Sequence, residues 1–110
     1  MSQLTTHILD TSIGKPAVGV KVQLLDPTAG SEPIAEGTTN ADGRVADLTS
    51  HLQLPKGNYE LVFAVAEYFD RREVQSFYPK VTVSFLLEEG QHYHVPLLLN
   101  PFGYSTYRGS

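Results

Sequence analysis

The 110-residue sequence has no cysteine, which excludes a disulfide framework and any thiolate metal site. It has no apolar run approaching the roughly 18 residues of a membrane-spanning helix, so no membrane partner is expected. It has no basic excess either. The formal charge is -4 with acids and bases interspersed, and nucleic acid, which selects a basic face, is not an expected partner. The opening MSQLTTHILD lacks the basic and apolar regions of a secretory leader, so the expected location is cytoplasmic. Internal repeats and low-complexity segments are absent. A chain of this length supports one independent core, and a single domain over residues 1–110 is expected.

What is present is a series of short alternating segments separated by turn residues, the pattern of an all-β sandwich. Strands are predicted over residues 5–10, 19–25, 34–38, 44–47, 59–66, 80–87, 92–99 and 104–108, a count of seven to eight. The breaks have local causes. Gly14-Lys15-Pro16 and Asp26-Pro27 bend the chain, while Asn40-Ala41-Asp42-Gly43 and Pro55-Lys56-Gly57-Asn58 each offer a glycine for a tight reversal. Residues 66–73, AEYFDRRE, lack β-branched side chains and cluster charge, which predicts one short surface helix after the fifth strand.

The last nineteen residues, HYHVPLLLNPFGYSTYRGS, are the most informative. Tyr93, Val95, Leu97 and Leu99 share one parity and form an apolar face, so His92, His94, Pro96 and Leu98 share the other. Pro96, without a backbone donor, fits an edge strand or a position whose N–H has no partner. In LTTHILDT, Leu4, Thr6 and Ile8 alternate with Thr5, His7 and Leu9. His7, His92 and His94 are thus all expected to face away from the core.

The opening LTTHILDTSIGKPAVGVKVQLL, the NADGR turn and the ending HYHVPLLLNPFGYSTYRGS together resemble the transthyretin-like proteins, and within them the 5-hydroxyisourate hydrolases. The resemblance runs the length of the chain, and its most specific part is the terminal Tyr107-Arg108-Gly109-Ser110. The chain departs from that pattern at Asn100, where serine is more usual, and at Phe102, where tyrosine often stands. The resemblance implies a transthyretin-like β-sandwich subunit that pairs edge to edge and assembles as a homotetramer, a dimer of dimers. The outer faces of the first and seventh strands would line its central channel. Leu98 and Pro96, on the histidine face, would then be buried only in the tetramer.

It also implies a reaction, the hydrolysis of 5-hydroxyisourate by opening a ring amide to give a ureidoimidazoline carboxylate. By position, His7 matches the first-strand histidine, Arg44 the arginine after the Asp-Gly turn, His94 the second histidine of His-Tyr-His-Val-Pro, and Tyr107, Arg108 and Ser110 the terminal motif. The expected catalytic set is His7, Arg44, His94 and Ser110. His7, Arg44, Tyr107 and Arg108 are expected to bind the purine-derived substrate. The residue types suit the chemistry. An imidazole titrating near neutrality serves to deprotonate water, and a planar guanidinium binds an oxygen-rich anion and stabilises charge developing on the attacked oxygen. Lysine would replace Arg44 poorly. Which of His7 and His94 acts as base is left open, and no cofactor is expected.

Other readings compete. His51 reads as a solvated surface side chain, and His92 as solvated or supporting. His-x-His on one strand face is also a metal-ligand spacing, but no nearby carboxylate or thiolate completes a tetrahedral set, so no metal is expected. Arg44, beside Asp42 and Asp47, could make only a surface ion pair. The alternative within the fold is a non-catalytic carrier of small ligands in the same channel. Outside it, the alternative is a plain β-sandwich interaction module, which would not need the terminal motif.

Overall fold

Leu4, Thr6, Ile8 and Asp10 are buried while Thr5, His7 and Leu9 are half-buried, the period of a strand with one face on a core. In the computed structural model, which describes residues 3–88 and 90–109, this segment is β1 (Leu4–Asp10). There follow β2 (Lys15–Pro16), β3 (Lys21–Leu25), β4 (Ala35–Thr38), β5 (Gly57–Phe63), α1 (Val65–Arg71), β6 (Val81–Leu87), β7 (Tyr93–Asn100) and β8 (Gly103–Thr106). Two four-stranded sheets result, ordered β2-β1-β7-β8 and β4-β3-β5-β6. The first and seventh strands lie side by side and parallel, from Leu4 opposite Tyr93 to Asp10 opposite Leu99. No helix among the described residues is long and apolar enough to cross a membrane.

The core lies between the sheets. Leu4, Ile8, Leu97 and Leu99 from one sheet meet Val22, Leu24, Leu61 and Phe63 from the other, all fully buried, and each such side chain contributes about 1.5–3 kcal/mol through removal from water. The helix seats Val65, Tyr68 and Phe69 against this core. Asp10, fully buried at the end of β1, fixes its position. Its carboxyl accepts from Tyr68 Oη at 2.7 Å, Arg72 Nη1 at 3.0 Å, and the Ser12 amide and hydroxyl at 3.0 and 2.5 Å. Burial and the bond to Asp10 push the Tyr68 phenol up to about 12, so it remains a donor.

Several expectations are corrected. Residues 44–47 form no strand: Arg44 makes a single bridge to His7 and the chain then turns. Asn40 is the cause, because its side-chain oxygen accepts from the amides of Asp42 and Arg44 while its backbone pairs with Arg44 and Gly43, curling the loop on itself. Val45 and Leu48 then drop into the core. Lys15-Pro16, expected as a bend, pairs with Leu9 and Asp10 as a two-residue strand. The helix starts at Val65 despite its β-branch, because Val65 gains burial there, and ends before Arg72 and Glu73. The seventh strand is interior, not an edge, and the Pro96 carbonyl accepts from Thr106 Oγ1 at 2.7 Å. Pro96 is accordingly buried already in the single subunit, whereas Leu98 is half-buried. Asn100 serves the β7–β8 turn, its Oδ1 accepting from the Phe102 amide at 2.9 Å.

Candidate active site

The parallel pairing of β1 and β7 sets Thr5 opposite His94 and His7 opposite Pro96, so the two histidines are diagonal neighbours on the outer face of the sheet. They touch directly. His7 Nδ1 lies 2.7 Å from His94 Nε2, with ring centroids 4.8 Å apart and 16° between planes. Two nitrogens that close across that centroid separation belong to rings meeting edge to edge, sharing one proton between them. The other nitrogen of His94, Nδ1, is 2.8 Å from Thr5 Oγ1, and the same hydroxyl is 3.3 Å from His92 Nε2.

Arg44 reaches this pair through its backbone. Gly43 sits at φ +74° with its carbonyl accepting the Ile8 amide at 2.9 Å, and a Cβ there would stand 2.5 Å from the Ile8 carbonyl oxygen. Only glycine permits that approach, and the approach is what bridges Arg44 to His7. The electrostatic result is visible in both imidazoles. Burial and then the Arg44 charge hold His7 below its ordinary value; burial, then His7, Arg44 and His92, do the same to His94, opposed by a backbone hydrogen bond at Thr5. Both rings are therefore neutral, and available as bases, at neutral pH.

The terminal motif divides. Gly109 donates its amide to the His94 carbonyl at 2.7 Å, and a Cβ on it would lie 2.9 Å from His94 Cδ2, so this end of the chain is seated against the imidazole. Arg108 lies elsewhere. Its guanidinium stands 4.2 Å over the Tyr93 ring and bonds Gln91 Oε1 at 3.2 Å, and Tyr93 has the opposite parity to His94 in β7. Tyr107 is exposed and, with Arg108, borders a cleft of about 320 Å³ between β6 and β8. In the single subunit His7, Arg44 and His94 are thus together, while Tyr107 and Arg108 are not with them; Ser110 lies outside the described residues. His51 is exposed. Among the described residues no three His, Asp or Glu side chains gather as a metal site.

Two residues not anticipated as part of the site belong to its geometry, Thr5 and Gly43. Thr5 shares the parity of His7, a signal present in the sequence, but its contact with His94 depends on which strand lies alongside.

The chain is thus a two-sheet β-sandwich that carries two imidazoles in contact on one outer sheet face, with Arg44 bridged to His7 beside them. The model of the HIUase/Transthyretin family matches residues 4–109, and the chain belongs to this family. It is 48% identical over 113 residues to the 5-hydroxyisourate hydrolase of Deinococcus radiodurans, covering 97% of this chain and 95% of that one. The solved 5-hydroxyisourate hydrolase of Klebsiella pneumoniae superimposes with a TM-score of 0.87 at 41% identity, covering 100% and 94% of the two chains. Transthyretin from Sparus aurata superimposes with a TM-score of 0.92 at 34% identity, covering 99% and 97%. Backbone likeness is shared by enzyme and transthyretin alike, so the side chains must distinguish them.

Proposed function

We propose that this protein is a 5-hydroxyisourate hydrolase, opening a ring amide of that oxidised purine to a ureidoimidazoline carboxylate in urate breakdown. The observation that carries the reading is the 2.7 Å contact between His7 and His94 on an outer sheet face next to Arg44, in a chain whose curated relatives bear that enzyme's name. Water attacks the ring carbonyl while the histidine pair removes its proton, the positive charge being spread over two rings. The Arg44 fork holds the anionic ring and stabilises the oxygen on which charge develops. In this reading assembly brings Tyr107 and Arg108 to the substrate, and the Ser110 hydroxyl takes part in catalysis. A small-ligand carrier would have no use for a coupled base.

The working form in this proposal is a homotetramer. β6 and β8 are sheet edges on the same side of the sandwich, both bordering the 320 Å³ cleft, and Phe77 and Leu86 are each 71% exposed. A second copy aligned edge to edge would continue both sheets. Two such dimers meeting through the histidine faces would enclose a channel around the sites. A stable monomer at micromolar concentration in sedimentation would defeat the assembly.

The activity is tested by following freshly generated 5-hydroxyisourate in ultraviolet absorbance with the native protein, with Arg44→Lys, and with no protein. Decay faster than the blank, largely lost in the variant, is expected. Decay at the blank rate with native protein would overturn the assignment.

A further inference from the structure

The ladder between β7 and β8 pairs Leu97 with Thr106, lapses at Tyr107 and Arg108, and resumes in the same register three residues on, where Gly109 bridges His94. Thr5, His94 and Gly109 therefore form one row across the outer face of the sheet. The His94 ring spans this row. Nδ1 and Cδ2 are the two ring atoms bonded to Cγ, and they meet opposite neighbours: Nδ1 is 2.8 Å from Thr5 Oγ1, while a Cβ on Gly109 would lie 2.9 Å from Cδ2. Nε2, which is bonded to Cδ2, is 2.7 Å from His7 Nδ1. The three atoms nearest to that Cβ position all belong to His94, namely Cδ2, the carbonyl oxygen at 3.3 Å and Cβ at 3.5 Å. Backbone freedom does not explain this glycine. Gly109 is not among the residues with positive φ, in contrast to Gly43, so what position 109 lacks is room for a side chain.

We propose that Gly109 is a positioning residue for the hydrolysis: having no side chain, it leaves the His94 ring free to lie across the row with Nε2 against His7. This rests on the hydrolase reading of the site. A methyl group at position 109 pushes on Cδ2, and Cδ2 carries Nε2 with it. The ring yields before the backbone does. The backbone is held by the Thr106 hydroxyl on the Pro96 carbonyl and by the Gly109 amide on the His94 carbonyl, both at 2.7 Å, whereas the ring turns about its two side-chain bonds. The segment that carries Tyr107, Arg108 and Ser110 then stays seated, and only the contact through which the imidazoles share a proton is lost. With the rings apart, one imidazole must bear the positive charge alone as the proton leaves the attacking water, and proton removal slows.

Gly109→Ala tests this against Gly103→Ala, a second glycine of the same hairpin, where an added Cβ would meet only the Asn100 side chain at 3.7 and 3.8 Å. In crystals of the intact Gly109→Ala protein the separation of His7 Nδ1 and His94 Nε2 should open from 2.7 Å to beyond about 3.5 Å. In solution kcat should fall by roughly tenfold or more with KM within about twofold, and the melting point should drop by no more than roughly 4–8 °C, since one backbone bond is all that the change endangers. Gly103→Ala should keep the native separation and kcat. An unchanged separation or a native kcat in Gly109→Ala would overturn the proposal. So would a rise in KM as large as the loss in kcat, the signature of a segment lifted from the sheet, or a larger fall in melting point, which would make Gly109 a residue of the fold. Failure of the hydrolase reading is distinguishable, because it would appear as blank-rate decay with native protein whatever the separation in the variant.

Discussion

Replacing Gly43 by alanine should uncouple Arg44 from the histidines, and the cost follows from three local losses. A non-glycine residue at φ +74° carries about 1–2 kcal/mol of backbone strain. The added Cβ, 2.5 Å from the Ile8 carbonyl oxygen and 3.0 Å from Pro16 Cβ, must be relieved by moving backbone, at about 1–3 kcal/mol. That movement lengthens the 2.9 Å bond from the Ile8 amide to the Gly43 carbonyl, worth about 1 kcal/mol. The sum is about 3–6 kcal/mol, or a melting point lower by roughly 12–24 °C for a domain of this size. Gly14→Ala is the internal control. Gly14 has nearly the same φ, +67°, but open space where a Cβ would go, so it carries the strain alone and should melt roughly 4–8 °C lower. Hydrolysis assayed well below both melting points should be strongly reduced in Gly43→Ala and native in Gly14→Ala. Equal behaviour of the two variants would refute the claim that the Gly43 approach to β1 positions Arg44.

The remaining predictions concern charge, the terminus and the buried carboxyl. Because burial and Arg44 hold His7 and His94 low, the unprotonated pair persists below the ordinary imidazole value, and the rate should stay level down to about pH 6.5 before falling in more acidic solution; a fall centred above that value would contradict the site's electrostatics. Deleting residues 107–110 removes the Gly109–His94 bond and the Arg108–Tyr93 contact, which should abolish hydrolysis while lowering stability by only about 1–2 kcal/mol; retained activity would separate the terminus from the chemistry. Asp10→Ala strands the Tyr68 hydroxyl and Arg72 and should destabilise by about 3 kcal/mol in denaturant unfolding, a near-native midpoint being the refuting result.

The outer-face placement of His7 and His94 was legible because alternation is a local property: buried neighbours at every second position on β1 and β7 leave the histidines only one side. The family motifs supplied what alternation could not, the pairing of a first-strand histidine with one near the end of the chain. Where local pattern misled, a longer-range constraint decided. Arg44 belongs to a loop because Asn40 binds the backbone on both sides of the turn, and no strand propensity registers that. Pro96 fitted either an edge strand or a position whose N–H has no partner, and the edge alternative fails because β7 lies between β1 and β8, an order set by the whole chain. Thr5 was visible as an outer-face residue of β1, but its hydroxyl contact with His94 exists only once the two strands run parallel in register.

The central claim is that His7 and His94 act as one base through their 2.7 Å contact. A double-mutant cycle on the rate of 5-hydroxyisourate hydrolysis tests it most directly, with His7→Ala, His94→Ala and the double variant measured above the spontaneous rate. Each single change should cost on the order of 10²–10⁴ in kcat, and the double change should cost little more than either alone. Losses that multiply in the double variant would mean that the two histidines work independently and would contradict the coupled base.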